Sequence, residues 1–234
     1  MELFERQWAT YQALVEHDLM EHRGLTEAID NTIQAWLGNR EPIAPEPQFV
    51  DLGCGDLGVM APLLRRLPLG SFVGLDLCSQ VLRKAKATLG PVNYPCHWQE
   101  RHLLHWADAE PAHGPVHLLH SSFALHHLSD SEKLCFLQRC RRHLAPQGIF
   151  LWADVFREPK ETREAYLQRY VHRIHNWQPL APDQKRQVID HITSHDNPAD
   201  REAIQHAAED AGWQWRWVWQ GNQRAEALAV LSLA

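Results

Sequence analysis

Phe49-Val50-Asp51-Leu52-Gly53-Cys54-Gly55-Asp56-Leu57-Gly58 reads as a short apolar strand running into a glycine turn. The three glycines match G-x-G-x-x-G, the pattern of a tight strand-to-helix turn whose backbone approaches a bound ligand. The pattern alone leaves the ligand open. Asp51 narrows it, because a carboxylate two residues before the first glycine disfavours a pyrophosphate on the helix N-terminus and suits an ammonium group. Asp56, inside the turn, adds a second negative charge.

Downstream the chain alternates. A helical stretch at 57–67 leads to a second strand, Phe72 to Leu75, closed by Asp76, and Ser79 caps a helix through Leu89. A third strand is expected near Tyr94 to Trp98 and a fourth at Val116 to His120. Ser129-Asp130-Ser131-Glu132 has capping-box spacing and opens a helix to about Leu144; Pro146 and Gly148 then turn the chain into a fifth strand, Ile149 to Ala153. Strands alternating with helices predict a parallel sheet. Upstream, Leu3, Trp8, Tyr11, Leu14, Val15, Leu25, Ile29, Ile33, Trp36 and Leu37 recur at helical spacing, with Gly24 as the break between two helices. Gly38, Pro42, Pro45 and Pro47 make a connector. From Arg157 to Gly212, helices interrupted by Pro179, Pro182 and Pro198 predict a cap over one sheet edge.

In Trp213-Gln214-Trp215-Arg216-Trp217-Val218-Trp219-Gln220 every second residue is Trp, which places four indoles on one face of a strand. Gly221-Asn222 turns the chain, and Ala225 to Leu233 returns as the partner of an antiparallel hairpin. Those indoles are expected in the core, or against a second subunit in a homodimer formed through the Trp213 to Trp219 strand. The chain divides into an N-terminal helical cap (1–40), a cofactor-binding core (48–156), a helical cap and substrate region (157–212) and the hairpin (213–234), all in one domain.

The 234 residues carry 23 Lys+Arg against 29 Asp+Glu, a net charge of -6 that disfavours a nucleic-acid partner held by a basic surface. No stretch suits a membrane span, and MELFERQWAT lacks the apolar region of a signal peptide. The 5 cysteines form no Cys-x-x-Cys pair and read as reduced thiols, so the expected location is cytoplasmic. The 16 histidines invite a metal. His172/His175 and His191/His195 have helical spacing for one, but no carboxylate or Cys pattern completes a ligand set, and none is expected.

Asp76 ends the second strand where an acid accepts both hydroxyl protons of a ribose. An amino-acid end for Asp51 and a nucleoside end for Asp76, without phosphates, describe S-adenosylmethionine. Here the sequence resembles the class I S-adenosylmethionine-dependent methyltransferases, in FVDLGCGDLG, FVGLDL, HLLHSSFALHHL and LAPQGIFLWADVF. The resemblance implies an α/β, Rossmann-like sheet of seven strands, order 3-2-1-4-5-7-6, the seventh antiparallel. It implies that Asp51, Gly53, Cys54 and Gly55 cradle the methionine end, that Asp76 binds the ribose and that Leu77 packs on the adenine. Ser121, after the fourth strand, is expected in the same site. Where the family has Asp after the third strand, Gln99, Glu100 and Arg101 stand here, and His117 replaces another common Asp.

Methyl transfer from a sulfonium is an in-line displacement driven largely by holding the acceptor close in a dry site. His126 and His127, beyond the fourth strand, are candidate catalytic groups, together with Tyr170. Asp154 and Arg157 face the same edge. Arg169, Arg173 and Trp177 on the cap helix are candidates for binding an anionic acceptor, with a solvated charged face as the alternative for the arginines, and His22 is placed to close over the site. The expected activity is methylation of a small molecule. Methylation of protein or RNA, and cofactor binding without catalysis in a sensor or accessory subunit, are the alternatives.

Overall fold

The computed structural model describes residues 2–41, 45–111 and 114–234, with the side chains of 2–7 left aside. Leu3's side chain and Pro42 of the connector thus lie outside the described residues. The chain runs α1 (Glu2–Glu16), α2 (His22–Gly38), β1 (Gln48–Leu52), α3 (Ala61–Leu64), β2 (Ser71–Asp76), α4 (Ser79–Leu89), β3 (Cys96–Glu100), α5 (Leu103–Asp108), β4 (Val116–Ser122), α6 (Asp130–Cys140) and β5 (Leu144–Arg157). It continues through α7 (Arg163–His175), α8 (Pro182–His195), the two-residue β6 (Ala199–Asp200), α9 (Arg201–Asp210), β7 (Trp213–Gln220) and β8 (Glu226–Leu233).

The sheet order is β3-β2-β1-β4-β5-β8-β7, with β6 beside the end of β5. Pairings from β3 through β5 are parallel, and β8 is antiparallel to both neighbours. With β6 set aside, this is the seven-stranded order expected from the sequence. Both faces are covered, as a parallel sheet requires. Alternate residues of β5 divide between them: Phe150, Trp152 and Phe156 pack under α5, α6 and α9, whereas Ile149, Leu151 and Ala153 pack on the side of α2, α3 and α4. The capping box at Ser129 forms, with the Ser129 hydroxyl accepting from the Glu132 amide. A third cluster, including Leu14, Tyr166, Tyr170, Ile174, Trp177 and Ile192, joins α1, α7 and α8 into the cap.

Three expectations are corrected. The chain breaks between α1 and α2 at Asp18 and Glu21, both at positive φ, and Gly24 lies inside α2. It is small for a packing reason: a Cβ there would stand 3.3 Å from the Trp219 ring. The helix expected at 57–67 shrinks to Ala61–Leu64, since Gly53, Gly55 and Leu57 all have positive φ and carry the turn further before a helix begins. The four tryptophans do not share one face. A register shift between Trp217 and Trp219 inserts an extra residue, so Trp213, Trp215 and Trp217 join the α9 side and Trp219 the α2 side. Within the chain, the Trp213 indole donates to the Leu137 carbonyl (2.9 Å) and that of Trp217 to Gln205 (2.8 Å), and α9 covers them.

Candidate active site

A cavity of about 600 Å³ opens where the carboxyl ends of β1, β2, β4 and β5 meet α1, α2 and α8. Thr10 on α1 donates to Gln187 on α8 (2.7 Å) and ties two walls of the cavity together. One end of the space is acidic and built by the glycine turn; the other is built by imidazoles.

At the acidic end, the Gly53 and Cys54 amides donate to the Leu75 carbonyl (2.7 and 2.9 Å) and fasten the turn to β2. Gly53 has φ 72°, and a Cβ on it would come 2.6 Å from the Ala124 Cβ. Gly55 has φ 56° with open space where a Cβ would project. We expect Gly53→Ala to destabilise the protein through a left-handed backbone worth ~1–2 kcal/mol and an overpacking term of ~1–3 kcal/mol, read as a lower urea midpoint at unchanged slope. Asp51 is buried and receives His120 Nδ1 at 2.7 Å. The Asp76 carboxylate accepts the amides of Gly55 (3.1 Å) and Cys78 (2.9 Å). Burial raises its pKa, and those amides draw it back. Leu77, an apolar side chain left 66% exposed, stands at the rim, as does the partly exposed Tyr11. Burial, then the charges of Asp56, Asp51 and Asp76, raises the Tyr11 pKa, so the ring lies above the acids as a neutral phenol.

These residues fit a zwitterionic nucleoside. The carboxylates answer an ammonium group and ribose hydroxyls, the open Gly55 leaves room for backbone approach, and Leu77 offers an apolar platform. Arg101 and His102 line the same end. Gln99 and Glu100 do not reach the cavity, and Ser121 turns away from it, its hydroxyl donating to the Leu52 carbonyl (2.9 Å).

At the other end, the 3₁₀ turn Leu125–His127 follows β4 and presents His126 and His127. Register between β4 and β5 brings buried Asp154 beside it. Asp154 accepts His126 Nδ1 (2.5 Å), the His126 amide (3.0 Å) and the Trp152 indole (3.1 Å). Burial opposes both charges, but their mutual attraction wins, holding His126 above and Asp154 below their ordinary pKa values. His126 Nε2 is thereby aimed at Asp196, 3.6 Å from its Oδ1. Burial, with the neighbouring His126 charge, lowers the pKa of His127 to about 4, and burial raises that of Asp196 to about 6. His22 also lines the cavity, packed on Phe123, and burial lowers its pKa to about 4.

Residues 49–148 match the family profile described as a methyltransferase domain. That stretch, less than half of the chain, is similar to methyltransferase domains. Trans-aconitate 2-methyltransferase of Azoarcus sp. (strain BH72) is 34% identical over 110 residues, 47% of this chain and 40% of that protein. The enzyme of the same name from Deinococcus radiodurans is 34% identical over 108 residues, 46% of this chain and 38% of that protein. The matched stretches thus span about two fifths of these relatives. A structure of LepI in complex with SAH and a substrate analogue superposes with a TM-score of 0.59 at 15% identity, covering 86% of this chain and 46% of that one, a likeness of fold.

Around the methyltransferase domain, the cap residues fall differently from expectation. Tyr170 reaches the cavity wall, with its hydroxyl committed to Glu226 (3.0 Å). Arg169, Arg173 and Trp177 line a separate open cleft beside Leu19 and Gln223. Both arginines are engaged: Arg169 with Glu161 (2.9 and 3.0 Å) and Arg173 with Glu226 (2.7 and 2.8 Å). Arg157 donates to the carbonyls of Pro198 (2.7 Å) and Glu161 (2.6 Å) and brackets the cap. The anion site expected from Arg169 and Arg173 is therefore not in this cavity. Asp154 sits behind His126, accepting from its Nδ1 and its amide. Sequence reading missed Tyr11, His120, His191 and Asp196 as cavity residues; the only signal for His191 was its spacing from His195, and Asp196 carried none.

No described helix is long and apolar enough to cross a membrane.

Proposed function

We propose that the protein transfers the methyl group of S-adenosylmethionine to a small molecule held between the glycine turn and the imidazole cluster. The observation supporting this is one cavity, walled by α1, α2 and α8, that joins Asp51 and Asp76 to His126 and His127. Its volume of about 600 Å³ lies in the range of small-ligand sites, roughly 300–1,000 Å³, and must hold both donor and acceptor. A polymer acceptor would need an open channel instead. When bound, S-adenosylmethionine supplies an electrophilic methyl on sulfur.

The chain's own residues do the rest. Asp51, held by His120, and Asp76, held by two amides, fix the two polar ends of the donor. Tyr11 and the α1–α8 contact exclude water, strengthening each electrostatic contact inside. Asp154 holds the His126 ring so that Nε2 faces the acceptor end. The curated relatives are named for a small-molecule acceptor, trans-aconitate. An acidic acceptor would meet the imidazoles of His126 and His127 here.

Titration calorimetry tests the cofactor reading. S-adenosylmethionine and S-adenosylhomocysteine should each bind with one-to-one stoichiometry, and the absence of heat from both would overturn it.

A further inference from the structure

Beyond the cofactor pocket, we infer that His126, His127 and Asp196 form a binding site for one divalent transition-metal ion at the acceptor end of the cavity. Suitable donor atoms of these three side chains all lie within 4.8 Å of one another. Asp196 Oδ1 is the centre of the group, 3.6 Å from His126 Nε2 and 3.6 Å from His127 Nδ1, and His191 Nε2 stands 3.8 Å from the same oxygen. With metal–ligand bonds near 2.0–2.1 Å, the edge of a tetrahedral zinc site is ~3.3–3.4 Å. The two edges to Asp196 need only a few tenths of an ångström of contraction to reach it, and the edge between the two imidazoles, within 4.8 Å, closes further as the rings turn onto the ion.

Asp196 supplies the second observation. Its side chain is 8% exposed, and Oδ1 is buried without a hydrogen-bond partner. An unpaired buried carboxylate oxygen costs free energy unless something cationic completes it. Among the described residues the ion-pair partners of the Asp196 carboxylate within 4.0 Å are all imidazole nitrogens, while Arg163 donates to the Asp196 backbone carbonyl (2.8 Å).

The surroundings have the construction of a metal centre as well. Asp154 accepts from His126 Nδ1, which fixes the tautomer and leaves Nε2 to coordinate. Such carboxylate–histidine–metal relays are the usual support of a coordinating imidazole. The His127 ring packs edge-on against His126 and His191, with ring centroids 4.1 and 5.4 Å away. Two independent elements supply the ligands: the turn after β4 gives the histidines, and the end of α8 gives Asp196. The expectation that no carboxylate would complete a set overlooked Asp196, which reaches His126 across 70 positions of sequence only through folding.

Two imidazoles and one carboxylate with a position open to the cavity are the donor set of catalytic zinc and related divalent ions. The fourth ligand would be His191 Nε2 or an oxygen, nitrogen or sulfur atom of a substrate held in the cavity that these residues line. This role rests on the methyltransferase reading; the binding site itself does not.

The test uses tag-free full-length protein, stripped with chelator and desalted. Titration with zinc sulfate should show one tight equivalent, and Co(II) should give the visible ligand-field band of a four-coordinate site. Asp196→Asn and His126→Asn should weaken zinc binding at least tenfold. His175→Asn, at an exposed position on α7 outside the cluster, should leave it unchanged. S-adenosylmethionine titrated into the Asp196→Asn protein should bind as in the wild type, showing an intact fold. No stoichiometric zinc uptake, or undiminished uptake in Asp196→Asn, overturns the metal site. Zinc uptake without S-adenosylmethionine binding would instead leave the site standing and remove the methyltransferase reading.

Discussion

Asp76→Ala weakens S-adenosylmethionine binding at least 100-fold. Hydrogen bonds to a charged acceptor contribute about 1.5–3 kcal/mol each, and the proposed pair to the ribose hydroxyls is removed together, so the loss is about 3–6 kcal/mol if the two simply add. The carboxylate also accepts from Gly55 and Cys78. Its removal therefore frees the amide of the turn that must approach the donor, which adds to the loss. Asp76→Asn keeps an acceptor oxygen but not the charge and should fall between the two. Calorimetry on wild type and both variants reads the effect, with circular dichroism confirming that each is folded. Equal affinity in all three would remove Asp76 from the site.

Arg173→Ala lowers stability although it lies outside the cofactor end of the cavity. Glu226 is 0% exposed, and its carboxylate is met by two hydrogen bonds from Arg173 and one from the Tyr170 hydroxyl. Removing the cation strands a buried charge at a typical cost of about 3–5 kcal/mol. For a chain of this size each kcal/mol moves the melting temperature by roughly 2–4 °C, so the fall is about 6–20 °C. The double substitution Arg173→Met, Glu226→Leu replaces the pair with apolar groups of similar bulk and should recover most of it. A melting temperature unchanged in Arg173→Ala would mean that Glu226 is solvated.

These two residues show what was legible in the sequence. Asp51, Gly53, Gly55 and Asp76 act where they stand, at strand ends and in a turn, so local pattern suffices to find them. His126 and Asp154 were each visible beyond a strand, but their contact follows from the register of β4 on β5, which no local pattern encodes. Arg169 and Arg173 were correctly placed on one helix face. Which way that face looked depended on how α7 packs, and it turns to Glu161 and Glu226 rather than to the acceptor. Tyr11, His191 and Asp196 come from cap helices whose docking is wholly tertiary. The alternating tryptophans misled for a subtler reason: one inserted residue at Val218 reverses the parity of Trp219, and alternation of residue types does not register a bulge.

The central claim is transfer of a methyl group to a small acceptor. Its most direct test is incubation of the purified protein with methyl-labelled S-adenosylmethionine and a cell extract separated into metabolite, protein and RNA fractions. Label should enter the metabolite fraction, in step with release of S-adenosylhomocysteine. Label confined to the protein or RNA fraction, or no S-adenosylhomocysteine from any fraction, would contradict the account.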